Sequence, residues 1–357
     1  MRTNIDDLKA IALKDTAKVY QTITQLKYQF ESAWEDVSLI SLPNNVRGIE
    51  NVCIAGMGGS ALAGRIIQSL SPAYMTVPVV VVSNYRLPNF VSQKTLVIIS
   101  SYSGTTEESV SCLLDAYKRH AQIVTISNGG QVEDLSRKHS LNHYSLNSRF
   151  NPSNLPRLAM FTSLGAHLSL LNRFTLLNDP QFSLSKAINI IGKVINHSQA
   201  EIPTNDNPSK ILSHALVNKS IILIGANHLS GSLHAAKNLF NETSKSFSVS
   251  FELPELNHHL LEGLEYPKEQ KHISHVLLLN SHLYPDIIQK RLNLTKDVLN
   301  QIGYTTTVIK PESETILEQV LETASFFHFV SYYLAIINEV DPGAIPWVNY
   351  FKDHLHQ

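Results

Sequence analysis

The sequence predicts an α/β protein with two parallel sheets, each flanked by helices. Three observations carry this. Short apolar, β-branched runs recur along the chain and alternate with helix-like segments, the pattern of parallel strands covered on both faces. The rhythm occurs twice, on either side of a polar stretch at 127–153 rich in Asn and Ser. No short fixed-period repeat is present, which excludes a solenoid.

In chain order, Leu8, Ile11, Val19, Ile23, Leu26, Phe30 and Trp34 recur mostly at three- and four-residue spacing and predict an amphipathic helix or a pair of helices over 5–34. Strands are expected at Asn51–Ala55, Val77–Val82, Leu96–Ile99 and Gln122–Ile126. The stretch Ser127–Ser153, with Gly129, Gly130 and Pro152, reads as the connection out of the first domain. Helices follow at Leu155–Asn172 and Ser185–His197, then a polar stretch at Glu201–Ser209 with two prolines. Strands resume at Ser220–Gly225, Phe247–Phe251, Val276–Leu279 and Thr306–Ile309. The expected domains are 1–153, with the leading helices, and 154–357, with the C-terminal helices.

Bulk properties narrow the function. At 357 residues and a net charge of −1, the chain has room for two domains and no global field that would draw nucleic acid or an anionic membrane. Its two cysteines, Cys53 and Cys112, lie in apolar runs and form neither a disulfide framework nor a metal knuckle. Asp6 and Asp7 interrupt the start of the chain, so no signal peptide is expected. The most apolar run, Phe326–Ile337, is too short to span a bilayer and carries His328 and Ser331, so it reads as a core helix. A cytoplasmic location is expected.

The chemistry concentrates in loops. In Thr95–Glu108 an apolar run ends abruptly, and Ser100, Ser101, Ser103, Thr105 and Thr106 follow around Gly104 before a helix pattern begins. Strand, hydroxyl-rich loop and helix N-terminus together offer free N–H groups and a partial positive charge to one anion, such as a phosphate. A single helix cap would need one hydroxyl. After the first strand, Gly56-Met57-Gly58-Gly59-Ser60 forms a second donor-rich loop. It fits a dinucleotide fingerprint only in part, since Ser83-Asn84 stands where an acid would follow the second strand, and it is not a Walker loop, since no Gly-Lys-Ser/Thr follows.

In the second half, Gly225-Ala226-Asn227 follows a strand, and Glu242 ends a helix pattern, where composition alone reads it as a solvated surface acid. His258 and His259 follow a strand in a Pro-containing loop with no metal-ligand spacing around them. Arg157 stands at a helix start after Pro156, where a cation opposes the macrodipole, and it reads equally as a ligand-binding residue or a surface arginine.

Taken in order, these motifs resemble the bifunctional phosphoglucose/phosphomannose isomerase family of the sugar isomerase domain superfamily. The resemblance runs from about residue 50 to the C-terminus through Gly56–Ser60, Ser101–Thr106, Pro156-Arg157, Asn241-Glu242, Glu255–His258, and Asp341-Pro342 with Pro346 and Phe351-Lys352. Ala61 follows Ser60 where the family often has glycine, Leu158–Phe161 lacks the glycine often found after Pro-Arg, and His259 replaces a common Asn. These departures bear on substrate preference.

The resemblance implies two flavodoxin-like domains and a metal-independent interconversion of glucose 6-phosphate, and of mannose 6-phosphate, with fructose 6-phosphate. It implies that Ser101, Ser103 and Thr106 bind the sugar phosphate and that Gly59 and Ser60 line the sugar and phosphate. Glu242 would be the base, His258 would open the ring, Arg157 would stabilise the enediolate and Lys352 would reach the sugar near its ring oxygen. It further implies a homodimer with shared sites, the histidine crossing the interface, and no cofactor, metal, nucleic acid or membrane partner. Two other readings remain: a non-catalytic phosphosugar-binding regulatory protein, which would need only the phosphate loop, and a nucleotide-dependent enzyme.

Overall fold

The structure, a computed structural model, describes residues 3–40, 42 and 48–355. Five parallel strands form the first sheet: β1 (Asn51–Ala55), β2 (Val79–Val82), β3 (Thr95–Ser101), β4 (Gln122–Ser127) and β5 (Asn142–Ser145), in spatial order β2-β1-β3-β4-β5. The second sheet has four, β6 (Ser220–Ala226), β7 (Ser248–Leu253), β8 (Ser274–Leu279) and β9 (Thr305–Ile309), in order β7-β6-β8-β9. All neighbouring pairs are parallel. Every residue of β3 is buried, which is why it reads as a continuous apolar run rather than an alternating one.

The N-terminal pattern resolves into three helices, Leu8–Lys14, Val19–Ile23 and Leu26–Leu39. The third packs along Met160–Arg173, and Gly165 permits the contact, since a Cβ there would lie 2.4 Å from the Phe30 carbonyl oxygen. Helix Ile316–Ile337 is long and apolar enough to cross a membrane, yet its most apolar window is 89% buried inside the fold. It is a core helix, as its polar insertions predict.

One expectation fails. The stretch 127–153 is not a plain connection, because it contains helix Gly130–Lys138 and the edge strand β5. β5 reads Asn-His-Tyr-Ser and buries only Tyr144, so it carries no apolar run for the sequence to display. Pairing with Val124–Ser127 of β4 makes the strand in place of its own pattern.

The two sheets are joined by helices Leu62–Tyr74 and Ser230–Glu242. Gly231 lies so close to the first helix that a Cβ would stand 2.4 Å from Ile66 Cα, and Ser69 Oγ donates to the His228 carbonyl at 3.0 Å. The higher number on one helix thus meets the lower number on the other, and the pair runs antiparallel. This brings the start of the first helix, beside Ser60, toward the end of the second, at Glu242.

Candidate active site

The hydroxyl-rich loop lies at the carboxyl end of β3, next to the glycine loop at the carboxyl end of β1. Ser60 Oγ accepts the Tyr102 N–H at 2.9 Å, locking the two loops together. Ser101 is fully buried and its Oγ donates to Thr106 Oγ1 at 3.3 Å. Ser103 is exposed and its Oγ accepts from Thr105, from the amide at 3.3 Å and the hydroxyl at 3.0 Å. Thr106 stands at the N-cap of helix Glu107–Lys118 but makes no side-chain cap bond. The Thr106 side chain thus leaves the helix start, with the positive end of its dipole, facing the loop. Gly104 is pinned to Gly129, where a Cβ would lie 1.7 Å from the Gly129 carbonyl oxygen, so the loop tolerates no side chain there.

The glycine loop connects this anion site to the rest. A Cβ on Gly59 would lie 2.6 Å from the backbone nitrogen of Arg157. Without that side chain the turn Gly58–Ala61 packs directly on the turn Pro156–Ala159.

Arg157 is 2% exposed, and its guanidinium reaches across to the second half of the chain. Nε donates to Thr243 Oγ1 at 3.2 Å, and Nη2 to the carbonyls of Pro342 at 2.7 Å and Gly343 at 3.0 Å. Nη1 points at Glu242, 3.7 Å from Oε2. Burial lowers the Arg157 guanidinium below its ordinary value, opposed by the charges of Glu242 and Asp341.

Glu242 is the last residue of its helix, and its side chain retains 29% of its exposure. Its sequence reading as a solvated surface acid is therefore incomplete, because it faces a buried cation while still reaching solvent. Burial raises its carboxyl above the usual range, and Arg157, Lys352 and Lys245 pull it down. The negative end of its own helix acts in the same direction as burial. Lys352 lies on the exposed helix Pro346–His354 and reaches the site through its charge on Glu242.

His258 does not join this cluster. Glu242 lies just before β7, where Asn241 exchanges hydrogen bonds with Ser248, and His258 lies just after it in the turn Glu255–His258. Six strand residues at ~3.3 Å each put roughly 20 Å between the two ends. His258 is exposed, and its side chain makes no hydrogen bond among the described residues. The Gly225–Asn227 turn is also remote, held to Ser69 through His228 at the far end of the antiparallel helices.

Sequence reasoning missed Lys245 and Thr243. They follow Glu242 directly but carry no motif. Burial pushes the Lys245 ammonium down to about 8, with Arg157 adding to the fall and Asp341 and Glu242 opposing it. Among the described residues no group of His, Cys, Asp and Glu is arranged to hold a metal ion. Cys53 and Cys112 are both buried, and burial pushes their thiols up to about 12 and about 11. A cavity of about 400 Å³ elsewhere, lined by Ile190, Val194, Ile309 and Phe326, shares no residue with the cluster.

Residues 205–355 match the model of the bacterial phospho-glucose isomerase C-terminal SIS domain. The chain is 28% identical to the bifunctional phosphoglucose/phosphomannose isomerase of Caldicellulosiruptor bescii, over 94% of this chain and 98% of the relative. It is 25% identical to the protein of the same name from Aquifex aeolicus, over 95% and 98%. The fold matches a hypothetical protein of Thermus thermophilus with a TM-score of 0.71 at 13% identity, covering 98% of this chain and 92% of that one. It also matches a glucose-6-phosphate isomerase like protein of the same organism, with a TM-score of 0.61 at 17% identity, covering 97% and 99%.

Proposed function

We infer that this chain is a member of the bifunctional phosphoglucose/phosphomannose isomerase family and interconverts glucose 6-phosphate and mannose 6-phosphate with fructose 6-phosphate. The observation that carries the residue assignment is the Arg157–Glu242 pair, held against the anion-binding loops through Gly59.

The sugar phosphate binds to the hydroxyls of Ser101, Ser103 and Thr106 at the positive end of helix Glu107–Lys118, with Gly59 and Ser60 along the sugar. Binding energy far from the reacting carbons then fixes C1 and C2. The Glu242 carboxylate takes the C2 proton of the open-chain aldose. The C–H electrons form the C1–C2 double bond and the carbonyl electrons move onto O1. Arg157 Nη1, the one guanidinium nitrogen directed at the carboxylate, stabilises this oxyanion. Protonated Glu242 returns the proton to C1, the O2 proton is lost as C2 becomes the ketone, and O1 regains one. Lys352 contacts the sugar end from helix Pro346–His354.

Ring opening falls to His258 of the partner subunit. Support comes from the ~20 Å of β7 between Glu242 and His258 within one chain. It comes also from helix Pro346–His354, which buries none of its residues and exposes Trp347, Tyr350 and Phe351. A homodimer that covers this helix and shares its sites meets both. No nucleic acid, membrane or metal enters the scheme. A cytoplasmic location belongs to the same proposal, in keeping with two free, buried cysteines.

The test is an assay of purified protein with fructose 6-phosphate in the presence of a chelator. Formation of glucose 6-phosphate and mannose 6-phosphate is expected, and formation of neither would exclude the isomerase reading in favour of a phosphosugar sensor.

A further inference from the structure

Lys245 lies three residues beyond Glu242, in left-handed backbone with φ 54°. From there its side chain turns back toward the site, and Nζ donates to the Thr243 carbonyl at 3.2 Å and to the Asp341 carbonyl. Arg157 takes the next two carbonyls, those of Pro342 and Gly343. Two cations thus hold three successive carbonyls of one loop. The other side of that loop is fixed through Asp341, whose carboxylate accepts the Gly343 N–H at 2.7 Å and the Thr16 hydroxyl at 2.8 Å. A Cβ on Gly343 would stand 2.2 Å from Ala17 Cβ, so the loop is seated on the turn between the first two N-terminal helices.

This loop leads into helix Pro346–His354. The helix buries no residue of its own within the chain, so its tether at 341–343 fixes where it stands. Lys352, on that helix, lowers the carboxyl of Glu242.

We propose that Lys245 is a positioning residue for the isomerisation, tethering the Asp341–Gly343 loop and thereby holding Lys352 beside Glu242. This rests on the reading of Glu242 as the base. The charged groups that face Lys245 are Arg157, Glu242 and Asp341. Its ammonium titrates near 8, so the charge-assisted bond to the Asp341 carbonyl weakens just above neutral pH, and Glu242 loses a neighbouring cation over the same range. An ordinary lysine, near 10.4, would keep its charge throughout.

The experiment compares wild type, Lys245→Arg and Lys245→Met from pH ~6.5 to ~9.5, a range that brackets the lysine's titration. It reads kcat and KM with fructose 6-phosphate, and separately amide hydrogen exchange over residues 341–354. In wild type kcat/KM is expected to decline above about 8. Lys245→Arg should restore most of the neutral-pH activity and abolish that decline. Lys245→Met should lose about tenfold in kcat/KM at neutral pH, consistent with one lost charge-assisted contact, and show no decline. It should also exchange faster across the C-terminal helix. A merely structural lysine would change exchange without moving the pH profile. Wild-type exchange and activity in Lys245→Met, or an alkaline decline that persists in both variants, would overturn the proposal. If wild type fails to isomerise, the functional reading fails, and the exchange measurement still decides the tether.

Discussion

Arg157 Nη1 stands 3.7 Å from Glu242 Oε2, and that nitrogen makes no hydrogen bond among the described residues. The other donors of the side chain are committed to Thr243, Pro342 and Gly343. The arginine is therefore held rigidly by three bonds while one nitrogen stays beside the carboxylate. A preorganised donor of this kind stabilises developing charge without reorganising during the reaction.

Arg157→Lys keeps the charge but cannot reproduce the fork. At least one of the carbonyls of Pro342 and Gly343 loses its donor, which costs about 1–3 kcal/mol of stability for a buried acceptor. The misplaced cation should lower kcat by about 10²-fold or more. Urea unfolding and steady-state kinetics on the same preparation measure both, and a variant with wild-type kcat would remove Arg157 from the reaction.

Thr106→Ala removes a hydroxyl that caps nothing, so the helix should lose little stability. Its effect should fall on substrate binding. KM for fructose 6-phosphate is expected to rise about tenfold, the size of one hydrogen bond to a charged group, with a smaller change in kcat. An unchanged KM together with reduced stability would show that Thr106 is a structural cap.

Gly59→Ala is a small substitution with a large expected effect. The new methyl group would meet Arg157 backbone nitrogen at 2.6 Å, and backbone on both sides leaves no flexible atom to yield. The turns Gly58–Ala61 and Pro156–Ala159 must separate, moving the anion loops away from Arg157. Activity should fall by about 10²-fold, the scale of a 1 Å misplacement, and the kinetics of the purified variant check it.

Acid should destabilise the fold through two histidines outside the site. His167 and His328 are buried, each donates Nδ1–H to a carbonyl of its own helix, and Nε2 of each has no hydrogen-bond partner among the described residues. Burial lowers both to about 4. The unfolded chain takes up these protons near 6.5 and the folded chain does not. Their contribution is thus fully present above 6.5 and is lost as pH falls toward 4. By pH ~5 each costs on the order of 2 kcal/mol. His328→Leu should shrink the loss of unfolding free energy between pH ~7 and ~5 by about that amount. An unchanged pH dependence in denaturant unfolding would contradict the assignment.

Much of the fold was legible in the sequence because buried parallel strands announce themselves as apolar runs. β1 was bounded correctly, and β3 and β8 came within two residues at each end. β5 was not legible because an edge strand of Asn, His, Tyr and Ser depends on its neighbour for its conformation. Within the site, the hydroxyl loop was visible from local chemistry. Glu242 was not, since its environment comes from Arg157, 85 positions earlier in the chain, and only the family resemblance singled it out. Lys245 escaped both routes, because its role lies in two backbone carbonyls, one of them at Asp341, that no side-chain pattern reports.

The central claim is that Glu242 carries the proton between C1 and C2. It is tested most directly by running the reaction in D₂O and reading deuterium at C2 of the glucose 6-phosphate formed from fructose 6-phosphate. Wild type should incorporate deuterium wherever the base exchanges its proton with solvent before returning it, and Glu242→Gln should lose both turnover and incorporation by about 10³-fold or more, the weight of a general base. Incorporation and turnover in Glu242→Gln at rates near wild type would contradict the account.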